Sequence, residues 1–498
     1  MLFGLCCVVV VLALLAGGGT HSGFYGDVAV QFLSIPLLIA SLWPAFGHNN
    51  AQKTRSRMAL ALCITCALVV LLQVFPLPFD VWSGRHVLFP EGDNARFGGA
   101  SPGWSTLSIT PDATWAAAVS LLVPLAVFSS VMQLGFNERL KLCWVLLGVG
   151  GVSLALGFLQ VSQGPDSALR VFEMTNPEDA VGFFANRNHF AAFMNVALVL
   201  SALWLAQEME SSFDRRAVNS FSFLSLAAAA ALFVAITAGL ALARSRAGAF
   251  LAIVMLAAIV VMILAHSRSL QAKNRMRRKA GASRIIWAVA LFAVFFGLQI
   301  GLGRLLTRFQ ADAAADLRIP LNWTTFETAI RALPFGTGLG SFVSVYATVE
   351  KSKDVVAGFV NRAHNDLAEF LLETGVIGAG LVLLFLAWLS RQFYLAWSRP
   401  DPDDSPWQAL LKRASTLIVI LLLAHSLVDY PLRTTALSAV FAVFCGFLAA
   451  PGSGPDRAER KTRRRTFAAK WPEPVTQNAE PWNADLQWPV GWQKKGNN

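Results

Sequence analysis

Apolar runs of roughly 20 residues, the length that carries an α-helix across hydrocarbon, recur from the N-terminus to residue 450. No water reaches a backbone N–H or C=O in lipid, so such runs must be helical. The chain therefore reads as all-α, a polytopic transmembrane helix bundle. Composition agrees, with 55% hydrophobic residues, 14% charged residues and a mean hydropathy of +0.53. About twelve spans can be drawn, at 2–18, 28–47, 58–76, 114–134, 142–162, 189–207, 221–242, 247–266, 285–303, 375–395, 413–429 and 435–450. The last two are short.

On such a chain the net charge of +11 is read by side of the membrane, not as a nucleic-acid footprint. No nucleic-acid partner is expected. With both termini inside, basic residues gather on the inner loops: Arg268, Lys273, Arg275, Arg277, Arg278, Lys279 and Arg284 in one, and Lys53, Arg55, Arg57, Arg139, Lys141, Arg215 and Arg216 in three short ones. This sets residues 304–374, the longest stretch unable to sit in lipid, on the outer side as a large, partly helical loop. Three regions follow. Residues 1–163 hold N-terminal spans with a Pro-, Gly- and aromatic-rich outer loop near 75–114; residues 164–450 hold a membrane core that includes the large loop; residues 451–498 form a basic tail, expected to be cytoplasmic, disordered and close to anionic headgroups.

The six cysteines all fall in apolar runs. Cys63-Ile-Thr-Cys66 has metal or redox spacing, yet no second pair or nearby histidine completes a site, so it reads as helix packing. Met1-Leu-Phe-Gly-Leu-Cys-Cys7 lacks a basic residue and reads as a retained first span. Asp401-Pro-Asp-Asp404 looks like a metal motif but sits in a short inner loop, where a solvated turn is expected. No nucleotide-binding glycine pattern precedes a strand-like run, so no cofactor or metal is expected, and any transferred group must come from the membrane.

Arginine at the outer end of a span needs a reason. Arg244-Ser-Arg246 lies in a tight outer turn, where the pair either snorkels to headgroups or grips anionic oxygens through the planar guanidinium fork. Arg187 and Asn188 open another span on that side, and Arg318 stands near the start of the large loop, close to Asp312 and Asp316. Gly336, Gly338 and Gly340 follow Pro334 and read as a tight turn more readily than as a phosphate cradle. Asp366-Leu-Ala-Glu369 resembles a capping box, with Asp366 as N-cap. That places His364 just before a helix N-terminus, whose dipole disfavours imidazolium and so suits a general base.

Five motifs, taken in order, resemble a known family: Gly182…Asn186-Arg-Asn188, Ser245-Arg246-Ala-Gly248, Arg318…Trp323, Pro334…Gly336…Gly338…Gly340…Phe342, and His364-Asn365…Leu367…Glu373-x-Gly375. Together, over roughly 181–450, they resemble the O-antigen ligase and polymerase-like membrane glycosyltransferases of bacterial envelopes. The resemblance implies a multi-pass protein of the bacterial inner membrane with its active site on the periplasmic face. It implies en bloc transfer of a glycan from an undecaprenyl-pyrophosphate carrier to an acceptor hydroxyl, without metal or nucleotide. Arg246 and Arg318 would bind the pyrophosphate, and His364 would act as base on the acceptor. Arg244 and Arg187 join the donor site by position and charge, not by resemblance, and Asn188, next to Arg187, is placed there with them. The acceptor stays open: lipid A core for a ligase, a lipid-linked repeat for a polymerase, or another hydroxyl-bearing polymer. A polysaccharide or lipid transporter is the contrasting class; the large outer loop and the lack of buried acidic pairs weigh against it.

Overall fold

The computed structural model describes residues 1–20, 25–47, 49–78, 105–172, 177–214, 220–273, 318–351, 360–401 and 404–450. In chain order the helices are α1 (Leu2–Ala16), α2 (Tyr25–Leu42, continued by a 3-10 turn Trp43–Phe46), α3 (Asn50–Val74), α4 (Pro111–Ser120), α5 (Leu122–Gln133), α6 (Phe136–Gln163), α7 (Arg187–Asp214), α8 (Ser220–Leu242), α9 (Arg246–Lys273), α10 (Arg318–Arg331), α11 (Phe342–Val349), α12 (Asp366–Trp397), α13 (Pro406–Ser426) and α14 (Thr435–Ala449). A two-residue antiparallel ladder, β1 (Pro76–Leu77) with β2 (Ser105–Thr106), is the only sheet among the described residues.

Nine helical stretches among the described residues are long and apolar enough to cross a membrane, and α1 and α14 are shorter apolar helices. The protein is an all-α polytopic membrane protein. A helix covers each sequence-drawn span except 285–303, which lies outside the described residues, as do 79–104, 304–317, 352–359 and the tail 451–498. The span at 114–134 is two helices, α4 and α5, with the joint at Leu121. Pro124 explains the joint, since it cannot donate to the carbonyl four residues back. Leu383 and Leu384 on α12 remain 67% and 69% exposed, as befits a lipid-facing girdle.

Lipid tails are as apolar as leucine, so the helices associate by close packing rather than by escape from water. The main core shows this. It runs through α1, α2, α5 to α9, α13 and α14, so the N-terminal spans and the later ones share one interior. Helix α7 is central, with Phe190, Phe193, Met194 and Leu198 buried. Glycines let neighbours approach it: a Cβ on Gly248 of α9 would lie 2.5 Å from the Ala191 Cβ, and the Asn195 amide donates to the Gly248 carbonyl at 3.0 Å.

A second, smaller core lies in the region that the sequence assigns to the large loop. Leu321, Ala329 and Ala332 of the α10 region pack with Phe342, Val345 and Tyr346 of α11 and with Ile109, Ala363 and Leu372. The stretch is therefore a folded cap. Helix α12 passes through its edge and changes character at Gly375, whose φ of 58° and ψ of −143° interrupt the helix. Only glycine fits there, because a Cβ would come within 2.2 Å of the Pro334 carbonyl oxygen. The acidic first part of α12 belongs to the cap, and the apolar remainder to the bundle.

Candidate active site

Helix α12 starts one residue earlier in its chemistry than the sequence suggests. Asn365, not Asp366, is the N-cap: its side-chain oxygen accepts from the Leu367 and Ala368 N–H groups, both at 3.1 Å. The capping box is thus corrected, and both acids are released for other work. Asp366 accepts from the Ser426 hydroxyl at 2.7 Å and the Leu432 N–H at 3.3 Å. Glu369, fully buried, accepts from Arg362 and from the Ala363 N–H, each at 2.9 Å. Glu373 accepts from the Gly340 N–H at 2.9 Å and pairs with Arg433 at 2.8 Å. Arg433 also lies 3.6 Å from both Asp366 and Glu369, so one guanidinium ties together three carboxylates on one face of α12. Burial alone would lower the Arg433 pKa, but these three acids push it above the ordinary arginine value.

His364 sits directly after the two residues that Glu369 holds. Its φ of 52° is left-handed, a conformation uncommon for a non-glycine residue. Among the described residues only Arg244, at 48°, shares it, and both belong to the candidate site. Strain of this kind persists where surrounding contacts over-determine the backbone. Here the contact is Asp429: His364 Nδ1 lies 3.0 Å from Asp429 Oδ1. The His364 side chain keeps 24% exposure while Asp429 has none. Asp429 follows the end of α13, its N–H bonded to the His425 carbonyl at 3.0 Å. It also accepts from the Tyr430 N–H at 3.0 Å and from the Asn186 amide at 3.5 Å. Burial by itself would raise the Asp429 carboxyl, but the His364 hydrogen bond and the charges of His189, His364 and Arg318 hold it well below the usual carboxylate range. It is a carboxylate kept ionised inside the protein.

Around this pair stand Tyr430, His189 and His425. The Tyr430 ring meets His364 and His189 edge-on, at 5.0 and 4.9 Å between centroids. Burial together with Asp429 pushes its pKa up to about 12, against the opposing pull of the Asn361 and Asn186 side chains. His189 and His425 are fully buried, and no ring nitrogen of either has a hydrogen-bond partner among the described residues.

The sequence-predicted arginines fall into two groups. Arg318 opens α10, and its charge acts on His189, His425 and Asp429. Asp312 and Asp316, its local partners by sequence, lie outside the described residues. Arg246 opens α9 two residues past Arg244. Arg187 and Arg244 meet over Asp179: Arg187 bonds it directly, and Arg244 lies 3.4 Å from it and 3.2 Å from Glu178. Their charge is thereby matched by acids of the preceding loop, which the sequence reading did not weigh. Asn188 is buried, and its N–H donates to the Asn186 side chain at 2.8 Å. Asn186 thus caps α7 and reaches Asp429 at once, which links the Asp179 cluster to the His364 cluster.

The glycine turn resolves as a turn. Gly336, Gly338 and Gly340 have φ of 75°, 104° and 78°, and the N–H groups from 336 to 340 are all donated within the protein: to Ala332, Leu372, Glu373, the Gln73 side chain and the Glu373 side chain. None is left to cradle a phosphate. The acids at 401–404 need a correction too, since Asp404 is buried and pairs with Lys412 at 2.6 Å instead of facing solvent. Among the described residues no cluster of His, Cys, Asp and Glu is arranged to hold a metal ion.

Residues 230–385 match the family model described as O-antigen ligase. Over that stretch the chain is similar to the O-antigen ligases. No curated protein matches it. The matched stretch contains Arg244, Arg246, Arg318 and His364 and ends before His425, Asp429, Tyr430 and Arg433. Those four went unnoticed in the sequence because His425 and Asp429 stand at the end of an apolar run drawn as a span. An ionisable residue in such a place is costly and marks function by default; that signal was available. The contact between His364 and Asp429 thus joins the matched stretch to a segment 65 residues on.

Proposed function

We propose that the protein transfers a glycan from a polyprenyl-pyrophosphate carrier to an acceptor hydroxyl, with His364 as general base oriented by Asp429. The observation that carries this reading is the 3.0 Å contact between His364 Nδ1 and the buried Asp429 carboxylate. An ionised acceptor on Nδ1 places the proton there and leaves Nε2 as the basic nitrogen, the assignment that a positioned base needs. In the proposed step Nε2 takes the acceptor O–H proton while that oxygen attacks the anomeric carbon. The bond from that carbon to the pyrophosphate oxygen breaks, and the electron pair leaves with the lipid pyrophosphate. Asp429 faces the imidazolium that forms, so the proton is taken up beside a compensating charge.

Arg246 and Arg318 are the proposed grips on the leaving group. Arginine forks match phosphate oxygens bidentately and stabilise charge that grows only as the bond breaks. Arg187, Arg244 and Asn188 are assigned the wall of that site, since Asp179 and Glu178 already match the two guanidiniums. The setting proposed is a bacterial inner membrane with the site on its outer, periplasmic face, in surface-polysaccharide assembly. The acceptor is a lipid A core for a ligase or a lipid-linked repeat for a polymerase.

The test is transfer from a lipid-linked donor in proteoliposomes, with turnover and donor binding measured separately. His364→Gln, which bonds but takes no proton, should lose the ~100- to 10,000-fold share of a positioned base while binding donor normally. Arg246→Lys keeps charge but loses the fork, and should cost ~100-fold, the worth of about 3 kcal/mol at a developing anion. An active His364→Gln variant would reduce His364 to a scaffold residue. In cells, loss of a ligase leaves finished polymer on the carrier, and loss of a polymerase leaves single repeats.

A further inference from the structure

Helix α10 carries two opposed faces. Leu321, Thr324, Thr325, Thr328 and Ala329 are buried against the cap. Ile319, Trp323, Phe326 and Ile330 recur at intervals of four, three and four residues, which stacks them as one narrow stripe on the opposite side. All four are exposed, at 71%, 67%, 45% and 50%. A row of large apolar side chains on one face of a helix marks a surface that meets something other than water. Polar groups flank it: Glu327 pairs with Arg331 at 2.6 Å and with Lys351 at 3.8 Å.

The far end of the stripe shows what that something is. Just past α10, the Pro334 carbonyl accepts from the Val376 N–H at 2.9 Å. Val376 and Ile377 begin the apolar part of α12 and are themselves exposed, in line with Leu383 and Leu384 further along the lipid-facing side. The turn that ends α10 therefore lies against the start of the apolar, exposed part of α12, a helix long and apolar enough to cross a membrane. Helix α10, at 14 residues, is too short to span, but a helix with an apolar stripe and a charged flank lies in a bilayer interface. Tryptophan favours that depth, and Arg331 and Lys351 can extend to headgroups.

We infer that α10 is an interfacial helix whose Ile319–Trp323–Phe326–Ile330 stripe is seated in the acyl chains of the leaflet on the side of the candidate site. The helix then rests on lipid with one face and on the cap with the other, and holds Arg318 at a fixed height above the hydrocarbon. This inference uses only the membrane character of the protein and not the transfer reaction.

A photo-crosslinking amino acid, benzoylphenylalanine, tests it in full-length protein reconstituted in vesicles of phosphatidylethanolamine and phosphatidylglycerol. It is placed singly at Trp323, Ile330, Leu383 and Glu327. Adducts with phospholipid acyl chains are expected at 323 and 330, as at the lipid-facing reference 383, with little at the charged flank 327. The readout needs no substrate, so it stands whether or not His364 is a base. Crosslinks from 323 and 330 to protein would show that another segment covers the stripe. Absence of any adduct there, with normal adducts at 383, would show that the stripe faces water. Either result overturns the inference.

Discussion

Asp429→Asn is the sharpest probe of the proposed chemistry, because it changes charge while leaving shape almost untouched. Asparagine keeps an oxygen that can accept from His364 Nδ1 and from the Tyr430 N–H, the two bonds made by Asp429 Oδ1. What disappears is the negative charge opposite the imidazolium. A hydrogen bond to a charged group contributes about 1.5–3 kcal/mol, and each 1.36 kcal/mol in the barrier is tenfold in rate. Turnover should therefore fall by about 10- to 150-fold. The amide can also rotate its NH2 toward Nδ1, which would fix the proton on Nε2, the wrong tautomer, and deepen the loss. Because its surroundings hold Asp429 ionised, neutralising it also costs stability, so the unfolding midpoint is measured alongside and turnover is expressed per folded protein. The assay is single-turnover transfer from a lipid-linked donor in proteoliposomes, with donor binding measured in parallel. Donor binding should hold while turnover drops. Undiminished turnover in Asp429→Asn would refute the dyad, and so would a loss that appears wholly as weakened donor binding.

Three further outcomes follow from the same contacts. Tyr430 has its pKa pushed up to about 12, above the ordinary value near 10, so its contribution to stability is complete below pH ~10 and is lost as pH rises toward 12; thermal unfolding across that window should show a downward slope that Tyr430→Phe removes. Arg433→Met removes the guanidinium shared by Asp366, Glu369 and Glu373, leaving Arg362 on Glu369, and should cost the ~3–5 kcal/mol typical of stranding a buried charge, seen as a lowered unfolding midpoint. Gly375→Ala drives a Cβ to 2.2 Å from the Pro334 oxygen at a φ of 58°, and should loosen the cap from the bundle, measured as faster amide exchange at 336–340; unchanged exchange would show that the break in α12 does not need glycine.

Much of this architecture is legible in the sequence, for reasons that differ by level. Span length is dictated by bilayer thickness, so the helices α2 to α9 and α12 could be placed from hydropathy alone. Gly375 was visible as the boundary of the large loop because the polarity changes there, although the sequence could not say that the helix breaks instead of starting. His364 stood out as a candidate from its motif and position. Its partner did not, since Asp429 comes from the other side of two membrane passages and no local spacing relates the two. The capping error at Asp366 has a similar cause: Asn365 and Asp366 are both good caps, and the choice is made by Ser426 and Arg433, which lie far along the chain. Arg187 and Arg244 looked available because Asp179 sits in a loop without periodicity. Sequence reads elements well and long-range charge pairing poorly.

The candidate site lies where the two cores meet, and electrostatics favours that location. A carboxylate as deeply buried as Asp429 costs several kcal/mol to desolvate unless hydrogen bonds and opposing charge repay it. Inside the bundle there is no water to help; in open solvent the charge would be screened and its hold on His364 weakened. At the seam both problems ease. The end of α13 presents Asp429 from the membrane side, Asn186 and the Tyr430 N–H satisfy it, and the cap brings His364 to it from the solvent side. The cap is in turn clamped by Arg433, which reaches Asp366, Glu369 and Glu373 from the short turn between α13 and α14. Glu369 completes the linkage by holding Arg362 and the Ala363 N–H, the residues just before His364. Two arms from one turn, Asp429 and Arg433, thus fix the histidine directly and through its backbone. In the proposed reaction the carrier lipid delivers its pyrophosphate to this same boundary between hydrocarbon and water, so a base built at the seam needs no lipid to leave the bilayer and no charge to cross it.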